Sequence, residues 1–184
     1  MKKLLIILLL FFPVHGVWAE VIEEKQPEEI IELFGIKFGE KCIDSTSDKY
    51  RTKGKVPNKL FKEHIVYCTS ITKRVWKIST NNFFESEKLN EFIMCRNSLR
   101  ALEKHFSEKY GVKLNITTDR DYEYKVQSND TNDMHNKVEM MCTRIGTGKR
   151  FNSVDLRLIV TNLKMISEKK KEDLQISIID KKGI

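Results

Sequence analysis

The sequence predicts an α+β domain: a mainly antiparallel sheet built from two hairpins, with one long amphipathic helix packed on a face and two disulfides. The sheet is indicated by paired runs of β-branched and aromatic residues that are separated by short turns. The helix is indicated by apolar residues at three- and four-residue steps, and the disulfides by four cysteines behind an apolar leader.

The first 19 residues have the pattern of a secretory signal peptide. Lys2 and Lys3 precede an unbroken apolar run, and small residues before Glu20 offer a cleavage site. The run is shorter than the ~20 apolar residues that span a bilayer, and no cysteine at the cut could accept a lipid. An uncleaved anchor stays open as the alternative, because bulky Trp18 is not ideal beside the cut. We therefore expect export to the periplasm or the medium, with no transmembrane span after cleavage.

Beyond residues 1–19 the sequence divides into an acidic flexible arm (20–29), a single domain (30–173) and a C-terminal tail (174–184). The arm holds five glutamates, whereas the whole chain has a net charge of +7, so the body is basic. A solvated surface accounts for this charge, and attraction to anionic lipid, nucleic acid or cell-wall polymer is the alternative. Nucleic acid is disfavoured because the sequence contains no dense arrangement of arginine and aromatic residues.

The even number of cysteines predicts two disulfides in an oxidising compartment. Three pairings are possible, and we favour Cys42–Cys68 with Cys95–Cys142 because each then ties a helix to a nearby strand. Loop entropy gives these links a stabilisation of ~3.5 and ~4 kcal/mol, from which native strain subtracts. A zinc site is disfavoured because no two cysteines have the short paired spacing of zinc ligands.

The first elements of the body are predicted to be short. Residues 30–38 are rich in apolar side chains and indicate a strand, with Gly35 marking a bulge or a close backbone approach. Residues 40–50 are predicted to form a short, weak helix that carries Cys42. The segment 51–59, with a glycine, a proline and several basic residues, is predicted to be a loop.

Residues 64–80 predict the first hairpin, because β-branched and aromatic residues dominate on both sides of Thr72 and Lys73. Neither face of this hairpin is strongly polar. We therefore expect it inside the sheet and not at an exposed edge.

Residues 86–110 are the clearest helix in the sequence. Ser86 can cap its start, and Gly111 follows its end, where a left-handed residue is common. The stripe predicted to face the sheet is Leu89, Phe92, Cys95, Leu99, Leu102 and Phe106.

The second half of the chain predicts further strands and a second helix. Apolar and polar residues alternate over 154–162, as in a half-buried strand. The 174–184 tail permits a strand, a continued helix or an adhesive tail, and the sequence leaves these open. The predicted elements are strands 112–117 and 122–126, a polar turn 127–136, a hairpin of 138–145 and 154–162, and a helix 163–173.

The sequence contains no recognisable catalytic, cofactor or metal signature. Gly146 to Lys149 resembles part of a phosphate loop, but Arg150 follows the lysine and a strand follows the loop, so a hairpin turn is expected. The histidines after the leader lie in different elements, and no serine-hydrolase elbow or distinctive carboxylate pair is present. We accordingly predict no catalytic residue, no cofactor and no metal.

A partner-binding surface is the remaining functional expectation. The predicted function is an exported, non-enzymatic protein that binds a protein or an envelope component. The alternatives are a hydrolase of a cell-wall or other exported substrate and a structural subunit of an envelope assembly. The candidate aromatic contacts, for which core packing is the competing interpretation, and the basic residues that would steer an acidic partner are Trp76, Phe83, Phe84, Arg51, Lys53, Lys55 and Lys59.

Overall fold

The computed structural model describes residues 28–44, 46–53, 60–61, 63–85, 90–129, 135–146 and 153–182. Within them the chain forms two helices and antiparallel sheets, so the predicted α+β class is confirmed. None of the described helices is long and apolar enough to cross a membrane. The elements are β1 (Glu32–Leu33), β2 (Ile36–Lys37), β3 (Lys49–Thr52), β4 (Glu63–Cys68), β5 (Val75–Glu85), α1 (Asn90–Tyr110), β6 (Leu114–Arg120), β7 (Glu123–Ser128), β8 (Asn136–Ile145), β9 (Ser153–Asn162) and α2 (Leu163–Lys182).

Seven strands form the main sheet in the order β3-β4-β5-β9-β8-β7-β6, and all neighbours run antiparallel. Strands β3 to β5 form one meander and β6 to β9 a second, and α1 connects them. The meanders meet at the centre, where β5 pairs with β9 from Lys77–Thr161 to Glu85–Ser153. Both predicted hairpins are therefore present, as β4–β5 and β8–β9.

One face of the sheet, the covered face, carries the core. Helix α1 packs on β8 and β9 with Leu99 fully buried, and the N-terminal segment 28–44 adds Ile30, Leu33 and Ile36 to the same core. Strand alternation turns the other core side chains to this face. Those that are completely buried are Val66, Ile78, Val126, Val138, Met140, Leu156, Leu158 and Val160.

Residues 30–38 form a tight hairpin and not the single strand that the sequence predicts. Leu33 pairs with Ile36, so Phe34 and Gly35 are the two turn residues, with φ of 54° and 76°. A two-residue turn with positive φ at both positions matches the twist of the strands, and glycine favours it. Gly35 therefore makes a reversal and not the predicted bulge.

The short helix predicted for 40–50 is wrong. Lys41 bridges to Arg74, and the Cys42 N–H donates to the Lys73 carbonyl at 2.7 Å. The backbone groups of this segment are thus satisfied by the chain just before β5, so no helix is needed to satisfy them. Strand β3 then takes in the first two residues of the loop predicted for 51–59.

Helix α1 follows the predicted apolar stripe from Phe92 to Phe106. Its end is the predicted one: Gly111 has φ 66°, and its N–H donates to the Ser107 carbonyl at 2.9 Å. The helix begins at Asn90 in the described chain. The predicted cap Ser86 and the stripe residue Leu89 lie outside the described residues.

Two disulfides hold the covered face. Cys42–Cys68 has an S–S distance of 1.99 Å and joins the N-terminal segment to β4. Cys95–Cys142 has an S–S distance of 2.08 Å and joins α1 to β8. All four residues are buried, so both links lie within the core.

The polar turn predicted for 127–136 is shorter than expected, because its ends belong to strands. Strand β7 extends to Ser128, whose Oγ accepts the Val138 N–H at 3.0 Å. Strand β8 begins at Asn136, whose side chain accepts from the Ile30 N–H at 2.7 Å and donates to the Ile30 carbonyl. These polar side chains are buried but satisfied, which lets the strands continue.

Helix α2 starts immediately after β9 and runs to Lys182, so the tail that the sequence left open continues the helix predicted for 163–173. Asn162 caps the start, because its Oδ1 accepts the Met165 N–H at 3.0 Å. Met165 is buried and its sulfur lies near Gly39.

The inward side of α2 holds the turn between β4 and β5. The Glu172 carboxylate accepts the N–H of Ile71 at 2.6 Å and of Thr72 at 3.2 Å. Ser70 donates to Asp173 at 2.9 Å one residue further along the helix. Burial favours a higher pKa for Glu172, but the hydrogen bonds to its charged form outweigh it and lower the pKa overall.

Candidate functional site

The face of the sheet opposite the covered face is the candidate site. Helix α2 lies beside it at one end, where Lys169 is 5.7 Å from the centre of the Trp76 ring, and it contacts β5 and β9. We call this face of the sheet the open face and define it by alternate side chains of five strands. They are Arg51 of β3, Glu63, Ile65 and Tyr67 of β4, Lys77, Ser79, Asn81 and Phe83 of β5, Asp155, Arg157 and Ile159 of β9, and Glu139 and Met141 of β8.

A shallow depression of about 370 Å³ lies at one corner of the open face. Arg51, Glu63, Ile65 and Phe83 line it, together with two asparagines of β5. Phe83 is 53% exposed, and the Arg51 guanidinium lies 3.9 Å from the Glu63 carboxylate, with both side chains largely in solvent. The depression thus combines an aromatic ring, an aliphatic floor and an available arginine.

A cluster of aromatic and lysine side chains lies at the opposite end of the open face. Lys77 lies 4.0 Å from the ring centre of Tyr67 and 5.0 Å from that of Trp76. Lys169 of α2 lies 5.7 Å from the Trp76 ring, and the indole N–H donates to the Cys68 carbonyl at 3.2 Å. Burial lowers the pKa of Lys77, against a smaller raising effect of the nearby glutamate on β8. The cluster is half-buried, so Trp76 is held mainly by its own domain.

Two ion pairs occupy the middle of the sheet on this side. Arg157 donates to Asp155 at 2.6 Å, and Lys125 of β7 lies 3.1 Å from Glu139. Burial raises the pKa of Asp155, and Arg157 opposes that shift. Asp155 lies directly opposite Phe83 in the β5–β9 register. The centre of the open face is therefore polar and its charges are paired, although the buried Oδ1 of Asp155 has no hydrogen-bond partner among the described residues.

The structure separates the contact residues that the sequence grouped. Phe83 and Arg51 meet in the depression, and Lys53 is exposed just beyond β3. Trp76 lies at the other end of β5, and Phe84 turns to the covered face, where it packs on the core. Lys55 and Lys59 lie outside the described residues.

Sequence reasoning missed Tyr67 and the Asp155–Arg157 pair as parts of this surface. The signal was present in the alternation of β4 and β9, because the residues between the core positions must face the other way. What the sequence lacked was knowledge that, within the described part of the chain, α1 packs on the other side of these strands and α2 lies beside this side at one end.

The histidines and carboxylates of the described residues are spread over different parts of the molecule. No group of three or more histidine, cysteine, aspartate or glutamate side chains there could hold a metal ion. The depression around Phe83 is lined by one carboxylate, that of Glu63. A second depression, between α1 and β6, is also lined by one carboxylate, that of Glu103. His64 is fully buried on the covered side, stacked on Phe34 with ring centres 4.4 Å apart.

Comparison with protein-family models, with curated proteins and with solved structures finds no match for this chain.

Proposed function

We propose that this is an exported, non-enzymatic protein that binds another protein or an envelope component through the open face. Two buried disulfides and the leader pattern of the first 19 residues support export. More specifically, the protein would be located in the periplasm or the medium, with Glu20 as the first residue after the signal peptide is cleaved. Mass measurement of the protein recovered outside the cytoplasm tests this assignment, and an intact leader on that protein would contradict it.

The observation that carries the proposal is the depression around Phe83. A half-exposed phenylalanine in a concave site with an arginine at its rim resembles the anchors that dominate interface energetics. The charged side chains around it are paired with one another, Arg51 with Glu63 and Arg157 with Asp155, so a partner would desolvate few unpaired charges there. A partner docked at Phe83 would also extend across the β3 edge.

The expected partner is acidic where it meets β3. Lys49, Arg51 and Lys53 lie on or beside this edge strand and are exposed. Lysine on an edge strand also discourages aggregation, so the charge alone is not specific evidence of a partner. Its position beside an aromatic depression favours a steering role, which raises the association rate more than the affinity.

The test is site-specific photocrosslinking in cells that produce the protein. A photoreactive phenylalanine analogue is placed at Phe83, and the matched control carries it at Ile116, which is 59% exposed on the opposite edge strand. We expect one abundant adduct from position 83 and none from position 116. Equal capture from both positions, or recovery of the free protein alone, would contradict the proposal.

Two variants, crosslinked in envelope extracts where the salt concentration can be set, then separate the contributions of the ring and the charge. Phe83→Ala, with the photoreactive residue moved to Ile65 of the same depression, should reduce capture at every salt concentration, because an apolar contact is not screened. Arg51→Glu should reduce capture strongly at low salt and weakly at 0.5 M salt, where the Debye length falls to a few ångströms. Loss of salt dependence in the wild-type protein would remove the argument for an acidic partner.

The alternative functions predict different results in the same experiment. A hydrolase would need a second carboxylate near Glu63, and capture at Phe83 would give no stable adduct with a protein. A structural subunit of an envelope assembly would be recovered in fixed proportion with its neighbours.

A further inference from the structure

Helix α2 has an outward side that is separate from the open face of the sheet. At 3.6 residues per turn, its inward side carries Met165, Lys169, Glu172 and Asp173, which contact the body of the domain. The opposite side, which we call the lysine face, is Lys164, Lys170, Lys171, Leu174, Ile178 and Lys181, all of them exposed.

Charge is segregated across this helix. Glu172 and Asp173 point inward and bind the β4–β5 turn, and Glu168 lies 3.2 Å from the Thr72 hydroxyl. By helical spacing, no carboxylate of the described helix falls on the lysine face, and Asp180 lies on the inward side beyond the body. The lysine face itself therefore carries no carboxylate, and the carboxylates that border it at one-turn spacing are Glu168 and Asp173, which also contact the β4–β5 turn.

Two aliphatic side chains lie among these lysines. Leu174 is 61% exposed and Ile178 is 44% exposed, and they are one turn apart on the same side of the helix. An aliphatic strip flanked by lysines on the outside of a terminal helix has the arrangement of helices that lie in the interface of an anionic bilayer. The face extends over roughly 25 Å, long enough for several headgroups to be contacted together.

We propose that the lysine face of α2 binds an anionic phospholipid surface. The lysines would reach headgroups while Leu174 and Ile178 enter the boundary with the acyl chains. All the cations of this face are lysine and none is arginine, which favours diffuse attraction to many headgroups over bidentate recognition of one carboxylate or phosphate. The face is a convex helical ridge with no aromatic anchor, unlike the depression around Phe83. The proposal is independent of the function proposed for the open face.

The test is flotation of the exported, disulfide-intact protein with vesicles of equal parts phosphatidylglycerol and phosphatidylcholine at 50 mM salt. Vesicles of phosphatidylcholine alone are the neutral comparison. Each lysine near an anionic surface contributes a factor of about five to partitioning. Lys170→Glu with Lys171→Glu should therefore reduce binding at least about 25-fold. Lys37→Glu with Lys41→Glu makes the same charge change on exposed residues outside α2 and should have little effect.

The aliphatic contribution has its own pair of variants. Leu174→Ser with Ile178→Ser should weaken binding, and Ile93→Ser with Met94→Ser, on residues of α1 that are each 54% exposed, should not. Far-ultraviolet circular dichroism confirms that each variant keeps its helices. Equal losses in the two charge variants, or no binding of the wild-type protein to anionic vesicles, would overturn the proposal. Crosslinking from position 174 to a protein without vesicle binding would assign the face to a protein partner and would also overturn it.

Discussion

The two faces of the seven-stranded sheet differ in composition and in what lies on them. On the covered face, Leu156, Leu158 and Val160 are completely buried beneath α1 and the N-terminal segment. On the open face, Phe83 is 53% exposed, and Arg157 forms an ion pair with Asp155. The same strands provide both faces through simple alternation. The covered face therefore contributes most of the apolar burial, while the other face carries aromatic and charged groups that are mostly half-buried or exposed.

The largest expected effect concerns the disulfides, both of which lie on the covered side. Replacing Cys95 and Cys142 by alanine should lower the free energy of unfolding by ~4 kcal/mol, since the bond closes the longer loop. Replacing Cys42 and Cys68 should cost ~3.5 kcal/mol on the same model. Urea unfolding monitored by tryptophan fluorescence measures both values. A larger loss for the second pair would show that native packing, and not loop entropy, sets the order.

The second prediction compares one large side chain on each face. Leu99→Ala, on the completely buried stripe of α1, should lower the free energy of unfolding by ~2–5 kcal/mol because it leaves a cavity. Ile159→Ala, on the open face, should cost ~1 kcal/mol or less because Ile159 is only half-buried. Similar losses in urea unfolding would show that the open face contributes to stability as the core does.

The third prediction uses the pH dependence of stability. Burial lowers the pKa of His64, partly offset by the Lys53 backbone, and no described group makes a hydrogen bond of good geometry with either ring nitrogen. A base with a lowered pKa is protonated first in the unfolded state, so stability should fall as the pH drops below ~6.5. His64→Met should flatten the melting temperature between pH 7 and 5.

The carboxylates affect stability at a lower pH than His64 does, so the two contributions can be separated in the same titration. The lowered pKa of Glu172 means that its contribution is present above the unfolded pKa and is lost as the pH falls below ~4.5. Glu172→Gln should therefore lower stability at neutral pH and change the slope with pH only on the acid limb. An unchanged slope between pH 7 and 5 in His64→Met would assign that slope to other groups.

The smallest expected effect is on the open face itself. Phe83→Ala should change the melting temperature by less than about 2 °C, because a surface substitution away from the core costs within ~0.5 kcal/mol. Differential scanning calorimetry measures the change. A drop comparable to that of Leu99→Ala would show that Phe83 is a structural residue, and the depression would lose its main argument as a docking site.

The elements that the sequence predicted best are those with a repeated pattern. The stripe from Phe92 to Phe106 repeats over several turns, and Gly111 ends the helix where only a left-handed residue fits well. The apolar side of β9 is also buried as its alternation predicts, although Asp155 and Thr161 on the polar side are buried as well. The repeated patterns therefore identify the apolar side of each element, and the structure agrees with them there.

The segments that the sequence predicted poorly depend on partners far along the chain. The backbone of Cys42 is satisfied by Lys73, so its neighbours needed no helix. The extent of α2 depends on Glu172 reaching a turn about a hundred residues earlier, which no local pattern of the tail encodes. The candidate site was predicted in part. Phe83 and Arg51 were identified from the sequence, but their proximity was not, because it arises from the pairing of three strands.

The contact between Glu172 and the β4–β5 turn also constrains the order in which the domain can be completed as the chain is made. Synthesis from the N-terminus presents β4 and β5 about a hundred residues before Glu172, which binds their turn. The Cys42–Cys68 disulfide can form early. Pairing of β5 with β9, and binding of the β4–β5 turn by α2, can occur only later. Strand β5 therefore stays without its second neighbour until most of the chain has been made. Such a domain leaves a strand edge unpaired for longer than one that folds from its N-terminus onward.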